Sequence, residues 1–241
     1  MRDARVSAPG HREPHGGGLA TRLNWLRAAV LGANDGVVST AGLVVGVAGA
    51  TSSRTAILTA GLAGMFAGGL AMASGEYVSV SSQRDSERAL LALERQELTE
   101  SGGAELEELA GLYQAKGLTP GLARQVASQL TAHDALAAHA EAELGIDPEQ
   151  LASPWHASGA SFVSFMAGAV LPLLAITLVP GPVRVAVTII AVLAALTVTG
   201  AAGAALGRAP RRPAVLRNVI GGAIAMGVTY GIGSLIGAAG I

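Results

Sequence analysis

Five apolar runs, each long enough to cross a lipid bilayer, constrain the fold of this 241-residue chain more than any other feature. A membrane-spanning helix needs about 20 mostly apolar residues, whereas the core of a soluble domain does not need runs of that length. Charged residues make up 14% of the chain, against about 25% in soluble domains. The sequence therefore predicts an all-α polytopic membrane protein with five transmembrane helices. The runs lie at about residues 26–50, 55–80, 157–179, 183–206 and 215–241.

An acidic stretch separates the second run from the third. Residues 84–147 hold 12 of the 17 acidic residues. Breaks at Gly102-Gly103 and from Gly117 to Gly121 interrupt this stretch, which predicts a three-helix insert with helices at about 81–101, 104–116 and 120–144. Because no Gly or Pro lies between Glu76 and Ser101, we expect the second transmembrane helix to continue into the insert. The expected order is a polar cytoplasmic tail, two transmembrane helices, the insert and three more transmembrane helices, at residues 1–24, 25–80, 81–150 and 155–241.

The distribution of arginine predicts the orientation. Arginines concentrate before the first run and between the fourth and fifth, at Arg2, Arg5, Arg12, Arg22, Arg27, Arg208, Arg211, Arg212 and Arg217. The other two short loops carry only Arg54 and Arg184. By the positive-inside rule, five spans with a cytoplasmic N-terminus place every arginine-rich segment, and also the acidic insert, in the cytoplasm.

Pairs of glycines four residues apart recur in the apolar runs. Such small-xxx-small pairs allow two helix backbones to approach closely in lipid. We expect them to serve packing within the chain more than a dimer seam, although the spacing alone fits both. The pairs are Gly32 and Gly36, Gly42 and Gly46, Gly64 and Gly68, Gly227 and Gly231, and Gly233 and Gly237.

Two acids inside the apolar runs are the first candidates for chemistry, since an acid within a span marks function or a buried pair. Asp35 lies ~12 Å along the helix from Arg27, and Met72 lies ~12 Å from Val80, at ~1.5 Å per residue. Antiparallel packing of the first two helices would place Asp35 and Met72 at one depth. A carboxylate and a thioether suit Fe²⁺ better than Mg²⁺ or Ca²⁺. Glu76 follows one turn after Met72. The alternative interpretations are a structural cap or pair for Asp35, a core position for Met72 and an interfacial charge for Glu76.

The insert supplies a second set of candidate ligands. Two carboxylate pairs with i,i+3 spacing lie on the two helices that flank the glycine break, and each pair shares one helix face. Facing carboxylates repel one another unless cations neutralise them, which favours a divalent metal ion. A solvated acidic face is the alternative interpretation. The candidate ligands are Glu94, Glu97, Glu105, Glu108, Glu143 and His139.

Two motifs carry a family resemblance. The segments LGANDGVVST at Leu31–Thr40 and MASGEYVS at Met72–Ser79, together with five spans and an acidic insert after the second, resemble the vacuolar iron transporter family. The resemblance implies a homodimeric, proton-coupled exporter that moves Fe²⁺, and in some members Mn²⁺, out of the cytoplasm. It covers nearly everything from Trp25 to the C-terminus.

The resemblance also implies roles for individual residues. It places the translocation site at Asp35 and Met72, with Glu76 nearby, and cytoplasmic metal ligands at the five candidate glutamates of the insert. One departure stands out: plant members have a Met-Glu pair where this chain has His139 and Ala140. We therefore expect the insert site to differ in affinity or metal preference.

These observations together favour a transporter over an enzyme. A carboxylate-bridged di-iron oxidase would need Glu-x-x-His pairs, and no Glu of this chain has a His three residues later. A membrane-bound metal sensor, or a passive metal channel gated by the insert, stays open as an alternative. The chain has no cysteine, so thiolate ligands are excluded.

The remaining expectations concern partners and location. We expect protons and membrane lipid as partners, a homodimer, no prosthetic group and no nucleic acid, because no basic patch suited to nucleic acid is present. The first 18 residues lack the apolar segment of a signal peptide and are expected to form a disordered tail. That feature, with 15 Arg against one Lys, favours a bacterial inner membrane.

Overall fold

The computed structural model describes residues 19–240, and the side chains of residues 29–240. The first 18 residues of the predicted tail lie outside this range, and residues 19–24 belong to the first helix. The described residues form six α-helices and one π-helical segment. Their bounds are α1 Leu19–Ala50, α2 Arg54–Ala115, α3 Pro120–His139, the π-helical segment Ala140–Leu144, α4 Pro154–Leu178, α5 Arg184–Leu206 and α6 Arg211–Ala239.

Five of these helices are long and apolar enough to cross a membrane. The spans lie in α1 (Ala29–Ala50), α2, α4, α5 and α6. No strand occurs between residues 19 and 240. The predicted all-α polytopic membrane class is therefore confirmed.

The chain divides into two compact units. One unit consists of Met1–Glu76 and His156–Ile241, and the other of Tyr77–Trp155. The first holds the apolar spans and is called the membrane unit below. The second holds the acidic stretch and is called the insert unit. Helix α2 belongs to both, as the absence of Gly and Pro between Glu76 and Ser101 predicts.

In the membrane unit, α1 contributes to two hydrophobic cores. Both cores consist of aliphatic and Met side chains, and one also contains Phe165, as expected for helices that bury apolar faces against one another. Because α1 supplies residues to both, it is the central helix of this unit. The core with α2 and α4 contains Val44, Ile57, Met65, Phe165, Ala169, Leu173 and Ile176. The core with α5 and α6 contains Val37, Ala41, Val45, Val192, Leu196 and Met226.

Glycine allows α1 to approach α4 closely. A Cβ added at Gly36 would overlap the Phe165 carbonyl, and a Cβ at Gly168 would overlap the Ala33 carbonyl. The backbones of α1 and α4 are therefore in direct contact at these glycines, whose side chain is a single hydrogen atom, as in small-xxx-small crossings generally. This close crossing holds in place the segment of α1 that carries Asp35.

A second close crossing joins α1 to α6. A Cβ at Gly233 would overlap the carbonyl of Gly46, and one at Gly237 would come within 2.7 Å of the Ala50 carbonyl oxygen. The expected packing within the chain thus holds for several of the pairs. It does not hold for Gly227 and Gly231, where no described atom lies within 4 Å of the added Cβ.

The insert unit contains the end of α2, α3 and the π-helical segment. Helix α2 is interrupted at Ser101, whose backbone is not helical (φ −137°, ψ 30°), next to the predicted break at 102–103. Gly117 has a left-handed φ of +103°, which suits the turn between α2 and α3 because glycine lacks a Cβ. A small core of Leu109, Ala110, Ala127 and Ala138 closes this unit.

The third insert helix is not continuous, in contrast to the prediction for 120–144. Asp134 is extended (φ −158°, ψ 99°), and its Oδ1 accepts a hydrogen bond from the Ala137 backbone N–H at 2.9 Å. Asp134 therefore caps a new helical segment within α3. A π-helical turn follows from Ala140 to Leu144, and Gly145 ends it with φ +66°.

Candidate metal-binding sites

A cavity of about 490 Å³ opens within the membrane unit between α1, α2 and α6. It brings together two residues that the sequence singled out, Asp35 from α1 and Met72 from α2. Ser39, one turn after Asp35, donates a hydrogen bond from its Oγ to Asp35 Oδ1 at 2.8 Å. The cavity is lined by Leu31, Asn34, Asp35, Val38, Met72, Arg217, Asn218, Gly221 and Gly222.

Glu76, the third candidate of the membrane unit, is not among the residues that line this cavity. It is half-buried and lies one turn beyond Met72 on α2. With i,i+4 spacing the two side chains share a helix face. Asp35 and Met72 thus line one cavity, and Glu76 lies outside its lining, one helical turn from Met72.

Three polar residues of the cavity were not predicted from the sequence. Asn34 precedes Asp35, and its Oδ1 accepts a hydrogen bond from Thr199 Oγ1 of α5 at 3.4 Å. Arg217 and Asn218 belong to the second turn of α6, which begins at Arg211. The sequence offered one signal for them, an Arg-Asn pair inside the apolar run at 215–241, but Arg217 was counted with the arginines of the preceding loop. The cavity offers a carboxylate, a thioether and amide oxygens, which are ligands for a borderline divalent cation.

A second cluster lies in the insert unit and consists of Glu94, Glu105 and His139. His139 Nδ1 lies 3.0 Å from Glu94 Oε1 and 3.8 Å from Glu105 Oε2. One ligand atom from each residue lies within 4.8 Å of the other two. All three residues are buried: the exposed fraction is 4% for Glu94, 8% for Glu105 and 0% for His139.

Breaks in the helices position these three side chains. On one continuous helix, residues 94 and 105 would be separated by ~16 Å at ~1.5 Å per residue. The interruption at Ser101 lets both carboxylates approach one imidazole. His139 is placed by two further irregularities, the cap at Asp134 before it and the π-helical turn after it. Single π-turns in α-helices often occur at functional sites.

Three buried polar atoms of this cluster have no hydrogen-bond partner among the described residues. Within the described part of the chain, Glu94 Oε1 and both ring nitrogens of His139 are buried without one, so the 3.0 Å contact lacks hydrogen-bond geometry. A buried polar group without a partner is costly, and a bound divalent cation would coordinate Glu94 Oε1 together with one of the two imidazole nitrogens. The donor set of two carboxylates and one imidazole suits such an ion.

Electrostatics favour the same conclusion. Burial, and then repulsion from Glu143, Glu105 and other nearby carboxylates, raises the pKa of Glu94 from 4.5 to about 7. Burial, and then repulsion from Glu108, also raises the pKa of Glu105, while His139 lowers it. Carboxyl groups that repel one another in a buried site are stabilised by a proton or by a metal ion.

The other three insert candidates are not part of this cluster. Glu97, Glu108 and Glu143 are exposed, and none supplies a ligand atom to the close group. All three nevertheless raise the pKa of Glu94. They add negative charge around the buried cluster.

Comparison with known proteins identifies relatives over nearly the whole chain. The model of the VIT family matches residues 26–234. A vacuolar iron transporter of Acanthamoeba castellanii is 45% identical over 224 residues, which covers 92% of this chain and 82% of that protein. Vacuolar iron transporter homolog 1 of Oryza sativa subsp. japonica is 39% identical over 242 residues, covering 99% and 86%. Vacuolar iron transporter homolog 2 of Arabidopsis thaliana is 38% identical over 221 residues, covering 91% and 88%.

Proposed function

The chain belongs to the VIT family, and from that premise we propose that it is a proton-coupled exporter of Fe²⁺ from the cytoplasm, with Mn²⁺ as a second substrate. The family and the relatives are metal transporters rather than enzymes. The five apolar helices make it a multi-pass membrane protein. The ion, the direction and the coupling to protons are our proposal.

One observation carries the proposal: Asp35 and Met72 line a single cavity inside the membrane unit. A carboxylate in a membrane-spanning helix is costly unless it serves an ion pathway or a buried pair. Beside a thioether, it forms a site that favours a borderline cation over Mg²⁺ or Ca²⁺. We assign translocation to this cavity, with Glu76 as a proton or cation carrier on the adjacent turn.

The insert cluster has a separate role in this proposal. Glu94, Glu105 and His139 bind the metal ion on the cytoplasmic side before transport, and Glu97, Glu108 and Glu143 attract it through their charge. Support comes from the buried nitrogens and carboxylate oxygen that lack hydrogen-bond partners in the described residues. The family resemblance implies a methionine of the plant members at the position of His139, and an imidazole there gives the site a harder donor set.

We further propose a homodimer in a bacterial inner membrane. Gly227 and Gly231 support the dimer, because they form a small-xxx-small pair with no neighbour among the described atoms. Cross-linking of single cysteines placed on this cysteine-free chain tests the dimer directly. Cross-links that form between copies at α6 are expected, and their absence at every α6 position would reject α6 as the interface.

Transport itself is tested in proteoliposomes. Uptake of Fe²⁺ and Mn²⁺ is measured with and without an acidic lumen, and luminal pH is recorded at the same time. Metal entry that rises with the gradient and alkalinises the lumen is expected. Entry that ignores the gradient would indicate a channel, and metal binding by the insert without any entry would indicate a sensor.

A further inference from the structure

Arg217 shares the membrane cavity with Asp35. The arginine enters from α6 and the acid from α1, and both line the same space as Met72. The two described side chains do not form an ion pair with each other. No other carboxylate of the described residues forms an ion pair with Arg217. The cavity therefore holds one fixed negative and one fixed positive charge that are separated from each other.

A fixed positive charge in a cation site has a definite electrostatic effect. When the cavity holds no metal ion, Arg217, whose side chain is exposed, offsets the charge of Asp35. When a divalent cation binds, the same guanidinium repels it. Arginine stays charged at every relevant pH, so this repulsion is present throughout the transport cycle.

We propose that Arg217 is a tethered counter-cation, which competes with the transported metal ion for Asp35 and thereby limits how tightly the ion is held. The competition weakens binding and speeds release to the far side. This inference depends on the proposed transport through the Asp35 cavity. The ordinary alternative is an arginine that extends to lipid headgroups and stabilises the end of α6.

The test compares Arg217→Gln with Arg217→Lys, and with Arg212→Gln as the matched control. Arg212 lies on the same helix, is exposed and does not line the cavity. Initial rates of Mn²⁺ uptake into proteoliposomes give KM and kcat. Arg217→Gln is expected to lower KM by about three- to tenfold, as loss of one repelling charge would, and to lower kcat. Arg217→Lys, which retains the positive charge, is expected to return KM towards the wild-type value, and Arg212→Gln is expected to resemble the wild type.

Salt supplies a readout that a structural role would not change. Mobile ions screen the repulsion, so the KM difference between Arg217→Gln and the wild type should shrink between about 0.01 M and 1 M salt. If Arg217→Gln fails to fold, Arg217→Met keeps the aliphatic length and makes the same comparison. An unchanged or raised KM in the neutral variant, or an equal effect of Arg212→Gln, would overturn the proposal.

The Asp35→Ala variant separates this failure from failure of the proposed function. If Asp35→Ala transports normally, transport does not use this cavity, and both proposals fail. If Asp35→Ala is inactive while the neutral Arg217 variants behave like the wild type, only the counter-cation proposal fails.

Discussion

Replacement of Glu94 by Gln should make the metal-free insert unit more stable at pH 8. The carboxyl group is 4% exposed, and its pKa is raised to about 7, first by burial and then by neighbouring carboxylates. At pH 8 the wild-type group is ionised at a cost to the fold. Gln has nearly the same shape, stays neutral, and removes that cost.

The size and pH range of the effect follow from the pKa values. A rise from 4.5 to about 7 corresponds to about 3 kcal/mol at ~1.4 kcal/mol per pKa unit. The folded protein holds the proton more tightly than the unfolded chain does, so the contribution of Glu94 to stability is fully present below pH 4.5 and is lost as pH rises to about 7. Glu94→Gln should therefore exceed the wild type by about 3 kcal/mol at pH 8 and equal it near pH 4.5.

Hydrogen–deuterium exchange of the full chain in detergent and chelator measures this locally, in peptides covering residues 88–112. Glu97→Gln is the matched control, because Glu97 is exposed on the same helix and should change stability little. Saturating Mn²⁺ should reverse the order, since the wild type gains binding energy that Glu94→Gln has partly lost. A Glu94→Gln protein that is less stable than the wild type at pH 8 without metal would refute the reasoning.

Three further substitutions test the packing and the insert site. Gly36→Ala should greatly reduce the yield of monodisperse protein after extraction, because its Cβ would overlap the Phe165 carbonyl, whereas Gly75→Ala, with no described atom within 4 Å of the added Cβ, should extract normally. His139→Phe keeps a buried ring but removes a ligand, and calorimetry should show at least tenfold weaker Mn²⁺ binding to the insert; unchanged binding would exclude His139 as a ligand. Asp134→Ala should destabilise the end of α3 by about 1 kcal/mol through the lost cap, and unaltered exchange at residues 135–139 would contradict that role.

The sequence predicted the membrane architecture well because the bilayer imposes one length on every span. Hydropathy located all five helices, but it placed their ends where charge begins rather than where the helix ends. Arg217 was counted with the arginines of the loop before the fifth run, although it lies within that run and within α6, which begins at Arg211. An arginine that was counted as a loop charge therefore lines the membrane cavity.

The insert site was predicted only in part. Spacing alone could not tell which member of each i,i+3 pair is buried, because three residues leave the two side chains about 60° apart around the helix. Glu94 and Glu105 are buried, and Glu97 and Glu108 are exposed. The cap at Asp134 and the π-helical turn depend on local hydrogen bonding in the folded insert, so helix periodicity did not predict them. The metal-binding roles themselves stay predictions.

Transport by Asp35→Ala is the most direct test of the account. The variant is reconstituted beside the wild type and beside Asp85→Ala, an exposed acid outside both sites, after each has passed the same size-exclusion criterion. Mn²⁺ uptake into acidic proteoliposomes is expected to vanish in Asp35→Ala and to persist in the other two. Normal uptake by a folded Asp35→Ala protein would contradict transport through the membrane cavity.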